Sequence, residues 1–129
     1  MGYHEHGPAR EQFGGKVLQA LARTLMEDRP VVLMDEPFSA LDAITRHRLQ
    51  DLAAELLSGR TVLLVTHSPL EALRLGHEVY VLSGRPAKPS RPLRPRGVPP
   101  RDASDPTLLA QEAELMAELT RSAALQEAS

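Results

Sequence analysis

The chain has 129 residues, 42% of them hydrophobic, and a formal charge of −2, which suits one small domain or part of a larger one. It has no cysteine, so disulfides and thiolate metal sites are excluded, and 3% aromatic residues, too few for a base-stacking platform. The near-balanced charge excludes a whole-surface attraction to nucleic acid, and no apolar run approaches the ~20 residues that span a bilayer.

The first residues, Met1 to Pro8, lack the basic start and apolar run of a secretory leader, so a cytoplasmic protein is expected. Residues 1–12 are polar and rich in His and Gly, and are expected to be poorly ordered. Lys16 to Glu27 reads as a helix, with Leu18, Leu21, Ala22 and Leu25 at helical spacing. Asp28-Arg29-Pro30 breaks it. Val31 to Asp35 is a short apolar strand of the kind covered on both faces in parallel sheets. Asp42 can cap a second helix running to about Leu57, with Leu49, Leu52, Ala53 and Leu56 facing inward.

Thr61 to Thr66 is a second buried strand. Ser68-Pro69-Leu70-Glu71 then forms a helix start in which serine caps, proline takes the first turn and glutamate completes a capping box. Gly76 stops that helix, and Glu78 to Ser83 reads as a third strand. The fold class expected for residues 13–84 is therefore α/β, in the order α-β-α-β-α-β around a parallel sheet. Residues 85–106 carry seven prolines and six Lys or Arg, which predicts an extended linker over 85–105. A last helix occupies 106–129, capped by Ser104 or Asp105, with Leu108, Leu109, Leu115, Met116 and Leu119 in one apolar stripe. That stripe suits packing on the parent domain or on a partner.

The chemistry concentrates in Val32 to Asp42. An apolar strand ends in two adjacent carboxylates, Asp35 and Glu36; Pro37 stops it, and a polar turn leads to a third, Asp42. Ligands of open α/β sheets sit outside the carboxyl ends of the strands. Adjacent acids there can divide the labour, one anchoring Mg²⁺ and the other orienting a water. His67 follows the second strand, between Thr66 and Ser68-Pro69. His4, His6, His47 and His77 have no partner pattern for a metal site and read as surface residues.

From about Gln12 to Pro86 these residues resemble the ATP-binding subunits of ABC transporters. Val31 to Glu36 is similar to the Walker B strand, Ser39-Ala40-Leu41-Asp42 to the D-loop, His67 to the switch histidine, and Ala20 to Arg23 to the helix after the signature motif. The resemblance implies a partial P-loop NTPase fold, with ATP and Mg²⁺ as cofactors. It implies Asp35 as the Mg²⁺ residue, Glu36 as the residue polarising the attacking water and His67 on the terminal phosphate. Asp42 would work at the interface with a second ATPase subunit, a role compatible with capping a helix. The implied partners are that second subunit, transmembrane permease subunits and, indirectly, a periplasmic solute-binding protein, with no nucleic acid. The implied location is the inner face of the plasma membrane, through the permease. Phe38, Thr45-Arg46 and the ending Val79 to Pro86 are similar to importers of the nitrate, sulfonate and taurine group and to those for thiamine precursors.

Two departures qualify the resemblance. No Gly-x-x-x-x-Gly-Lys-[Ser/Thr] occurs, so the loop that cradles phosphates is missing. The signature region reads Gln12-Phe13-Gly14-Gly15-Lys16, with Phe13 in place of the family's serine and the spacing to Ala20 one residue short. Gly14 and Gly15 are then either remnants of a nucleotide contact or a turn leading into the helix. These departures predict the C-terminal half of an ATPase, truncated, inactive alone and with one sheet face uncovered. A non-catalytic interaction module, or a decayed gene product, pairing with an intact ATPase or membrane subunit is the alternative.

Overall fold

A computed structural model describes residues 3–128, with side chains described for 14–125. Expectations resting on the side chains of His4, His6, Gln12 and Phe13 lie outside the described residues. The chain forms two compact units, Met1–Val65 and Thr66–Ser129.

The first unit contains α1 (Tyr3–Glu27), β1 (Val31–Asp35), α2 (Ala43–Leu56) and β2 (Thr61–Val65). The helix expected from Lys16 begins at Tyr3 and carries Gly14 and Gly15 inside it. Ala9 to Gln12 on one side and Lys16 to Ala22 on the other are mostly good helix formers, against a cost of roughly 1 kcal/mol for each glycine. The break falls where Asp28 adopts φ 51°, a left-handed geometry that short polar residues tolerate best among non-glycines. The Arg60 guanidinium donates to the carbonyls of Thr24 (2.9 Å), Leu25 (3.2 Å) and Arg29 (3.2 Å), satisfying acceptors at the helix end.

β1 and β2 pair in parallel, with Val31 opposite Thr61 and Asp35 opposite Val65, so β1–α2–β2 is a βαβ unit as expected. Strand alternation splits the apolar run. Val32 is buried with Phe38, Leu41, Leu49, Ala53, Leu57 and Leu21, whereas Val31, Leu33, Leu63 and Val65 lie on the other face and are exposed. One sheet face is thus uncovered. On the helices, Leu21, Leu49 and Ala53 are buried, but Leu56, expected inward, is exposed, as is Leu18.

The second unit contains α3 (Pro69–Leu75), β3 (Leu82–Ser83), β4 (Lys88–Pro89) and α4 (Pro106–Ala128). Here the expectation of a third parallel strand is corrected. Leu82 and Ser83 pair antiparallel with Pro89 and Lys88, and Val79 bridges Leu93 in the same sense. The physical reason is in the burial. Val79 and Val81 are buried while Tyr80 and Leu82 are exposed, the alternation of a strand with one wet face rather than of a doubly covered parallel strand. Gly84, at φ 90°, makes the reversal possible.

The segment expected as an extended linker is likewise built into this unit. It supplies β4, the Leu93 bridge and the buried Arg101. Leu73, Val79, Val81, Leu108 and Leu115 form the core. Asp105 caps α4, its Oδ1 accepting from the Thr107 N–H at 2.9 Å. The expected single stripe on α4 divides: Leu108 and Leu115 enter the core, while Leu109, Met116 and Leu119 remain exposed.

Arg101 holds this unit together. Its Nε donates to Arg96 O (2.8 Å), Nη1 to Leu73 O (2.9 Å) and Gly76 O (2.7 Å), and Nη2 to Pro95 O (3.1 Å) and Gly97 O (3.2 Å). Its backbone N–H reaches Arg74 O, and Arg74 Nε returns a bond to Arg101 O, each at 2.9 Å. Burial lowers the guanidinium's proton affinity from its usual value, yet an arginine remains charged. The carbonyls of Leu73 and Gly76 belong to the end of α3, where cations complement the helix dipole.

Candidate functional site

β1 delivers Asp35, exposed, at its carboxyl end. Glu36 follows at φ 48°, in the left-handed region that non-glycine residues seldom occupy. Its N–H donates to Val65 O at 2.8 Å, carrying the ladder one residue past β1. Its carbonyl accepts from the Ser39 N–H (3.4 Å) and Ser39 Oγ (3.1 Å). Such a geometry costs about 1–3 kcal/mol and persists only where surroundings enforce it, commonly at functional sites. It also breaks the alternation that would send neighbouring carboxylates to opposite faces.

The turn after Pro37 is fixed from below and from the side. Phe38 and Leu41 are buried at 1% and 5% exposure. Arg46, one turn into α2, donates from Nε to Phe38 O (3.1 Å) and from Nη2 to Leu41 O (2.6 Å). Asp42 takes the N-cap of α2, its Oδ2 accepting from the Thr45 N–H at 3.4 Å. The sequence reading noted Thr45-Arg46 without finding that Arg46 anchors the turn. The available signal was an arginine four residues after a cap, within reach of open turn carbonyls.

Asp35, Glu36 and Asp42 all lie in the first unit, brought to the carboxyl ends of β1 and β2. His67 lies two residues beyond β2, in the second unit, and is exposed. Next to it, Ser68 Oγ accepts from the Glu71 N–H at 3.2 Å, starting α3 as expected. The Ser68 N–H, which a capping box would give to Glu71, donates to Thr66 Oγ1 at 3.0 Å instead. Gly14, buried in α1, approaches α2: an added Cβ would meet Thr45 Cγ2 at 3.4 Å.

Among the described residues no group of three or more His, Cys, Asp or Glu gathers as a metal cage. Mg²⁺ binds through one or two carboxylates and takes its other ligands from water and substrate phosphates. Asp35 and Glu36 fit such a cation. Among the described residues no helix is long and apolar enough to cross a membrane.

An acid pair at the end of β1 and a pinned turn on a βαβ frame are the arrangement of an α/β ligand site outside the carboxyl ends of the strands. The chain is a homologue of the ATP-binding proteins of ABC transporters. It is 47% identical over 123 residues to an uncharacterized ABC transporter ATP-binding protein of Haemophilus influenzae, covering 92% of this chain and 51% of that protein. It is 41% identical over 121 residues to an aliphatic sulfonates import ATP-binding protein of Nocardia farcinica, covering 92% and 48%. A taurine import ATP-binding protein of Pelagibacter ubique is 48% identical over 71 residues, 54% of this chain and 27% of that protein. The likeness thus reaches beyond the Gln12–Pro86 span in which the motifs lie. The chain spans about half the length of the first two relatives. No protein-family model matches it.

Proposed function

We propose that this chain supplies the Walker B, D-loop and switch-histidine half of an energy-coupling ATPase of an ABC importer. The observation that carries the reading is Glu36, held in a strained backbone geometry beside Asp35 at the end of β1. In this reading Asp35 holds Mg²⁺ through water, Glu36 polarises the attacking water, and His67 contacts the terminal phosphate. Asp42 meets a second ATPase subunit. Bound Mg-ATP supplies the reacting phosphoryl group; the chain's carboxylates position and polarise around it.

Gly14 and Gly15 would touch the nucleotide of the opposite subunit only if the start of α1 unwound, because their backbone N–H groups belong to that helix. The partners are the second ATPase subunit, the permease subunits and, through them, a solute-binding protein. The location is cytoplasmic, at the inner face of the plasma membrane. A sulfonate or taurine type of cargo is suggested by the names of the similar proteins.

No phosphate cradle occurs in these 129 residues, so the binding energy for ATP must come from a segment outside them. Alone, the chain should bind Mg-ATP weakly or not at all and should not turn it over. The exposed face of β1 and β2, with Leu33 at 68% and Leu63 at 61% exposure, favours the reading that a second half covers it. A module that pairs with an intact ATPase without hydrolysing ATP is the second reading, favoured by the same face. Titration of a fluorescent ATP analogue, with and without a P-loop-bearing N-terminal half of a relative, separates them. We expect Mg²⁺-dependent binding only with that half, weakened by Asp35→Asn. Binding indifferent to Asp35→Asn would overturn the catalytic reading.

A further inference from the structure

Arg46 stands one turn into α2 and reaches back over the turn that separates the acid pair from Asp42. Its Nε donates to Phe38 O at 3.1 Å and its Nη2 to Leu41 O at 2.6 Å. Its own N–H, an ordinary helix rung, donates to Asp42 O at 2.8 Å. Phe38 O also takes the Leu41 N–H at 3.3 Å, which closes the turn on itself. The side chains of Phe38 and Leu41 are buried beneath it. Helix α2 thus grips the turn through the carbonyls of Phe38, Leu41 and Asp42.

What this grip serves lies upstream. Glu36, at φ 48°, would leave the left-handed region if its neighbours let it. Its N–H side is tied to β2 through Val65 O at 2.8 Å. Its carbonyl side is tied by Ser39, whose N–H (3.4 Å) and Oγ (3.1 Å) both donate to it. Ser39 is exposed and these bonds are long, so they hold Glu36 only as firmly as the surrounding backbone holds Ser39. That backbone is clamped by Arg46 on both sides of Ser39-Ala40, at Phe38 and at Leu41.

We propose that Arg46 is a positioning residue: its guanidinium fixes the turn that holds Glu36, and so sets that carboxylate where it polarises the attacking water. The inference rests on the hydrolytic role proposed for Glu36. Arginine suits the task because its planar fork offers two donors at fixed spacing to two carbonyls three residues apart, whereas lysine has one ammonium on a flexible stem. The same grip extends to Asp42, whose Oδ2 caps α2 through the Thr45 N–H at 3.4 Å. A merely structural arginine would affect stability; a positioning one affects turnover at unchanged nucleotide affinity.

The test uses the full chain, alone and reconstituted with a P-loop-bearing half. In the chain alone, Arg46→Met should quicken hydrogen exchange at the Glu36 and Leu41 amides by about tenfold or more, with the Ala53 amide inside α2 little changed. In the reconstituted protein it should lower kcat for Mg-ATP by at least about tenfold, towards the roughly 100-fold that a 1 Å misplacement can cost, and leave KM near the native value. Arg46→Lys should fall between. Ala53→Gly weakens α2 away from the turn and should leave kcat unchanged. In a Glu36→Gln background Arg46→Met should cost nothing further, because it acts through that carboxylate. Unchanged exchange at both amides, a kcat loss no greater than that of Ala53→Gly, a loss carried by KM, or an undiminished loss beside Glu36→Gln would overturn the inference. Native protein without turnover would overturn the hydrolytic reading and the inference with it; native turnover that Arg46→Met leaves intact would overturn the inference alone.

Discussion

Arg101→Met is the sharpest perturbation of the second unit. It keeps the side-chain bulk and removes the guanidinium, which donates to five carbonyls: Leu73, Gly76, Pro95, Arg96 and Gly97. Hydrogen bonds from charged donors contribute about 1.5–3 kcal/mol each, but they share one cation whose burial costs several kcal/mol, so they do not sum. The larger loss is in the acceptors. The Leu73 and Gly76 carbonyls at the end of α3 and those of the 95–97 turn lose their donor; each that stays buried costs about 1–3 kcal/mol. Water can reach the exposed turn, where Arg96 and Gly97 lie. The three that remain, of Leu73, Gly76 and Pro95, then give a destabilisation of at least about 3 kcal/mol. Arg101→Lys, with one ammonium for five acceptors, should lose about 2–3 kcal/mol. Urea unfolding followed by circular dichroism measures both. A loss under about 1 kcal/mol for Arg101→Met, at unchanged m-value, would refute the anchoring role.

Leu73→Ala, at a side chain with 0% exposure, should cost about 2–5 kcal/mol in the same assay and destabilise the unit around α3 and α4. Asp42→Ala removes the α2 cap and should cost about 1 kcal/mol; Asp42→Asn should cost less, since asparagine also caps well. Tyr80 donates to Glu78, which raises the phenol's pKa above its usual value. In an absorbance titration Tyr80 should therefore ionise above the usual phenol range, and Glu78→Gln should bring it back towards that range. Glu78 itself is held below the usual carboxylate range, first by the Tyr80 hydroxyl and then by Arg94. Its contribution to stability is present above the ordinary carboxylate pKa and is lost as pH falls through the lowered folded value. The acid limb of a pH–stability curve should therefore be shallower in Glu78→Gln.

The first unit was legible because each element carried its own boundary marks. Asp28-Arg29-Pro30 ended α1, Asp42 started α2, and five-residue apolar runs made β1 and β2. The candidate acids were legible for the same reason: polar residues at the end of an apolar strand stand out without any tertiary knowledge. The hairpin was not. Val79 to Leu82 is apolar throughout, and only burial reveals that alternate residues face water. Proline density in 85–105 argued for an extended chain, and nothing local announced that one arginine at 101 would collect carbonyls from residues 73 to 97. The anchoring roles of Arg46 and Arg60 were hidden likewise, because arginine on a helix or in a turn is ordinarily a solvated residue. Long-range bonds to backbone carbonyls leave no periodic trace.

The central claim is that Glu36 polarises a water beside Asp35 for attack on Mg-bound triphosphate. Phosphate release from Mg-ATP by the chain reconstituted with a P-loop-bearing half tests it directly, comparing native Glu36 with Glu36→Gln. The account predicts that the variant retains Mg-ATP while turnover falls by about 100-fold or more, the range for loss of a positioned general base. Equal turnover by both proteins would contradict it.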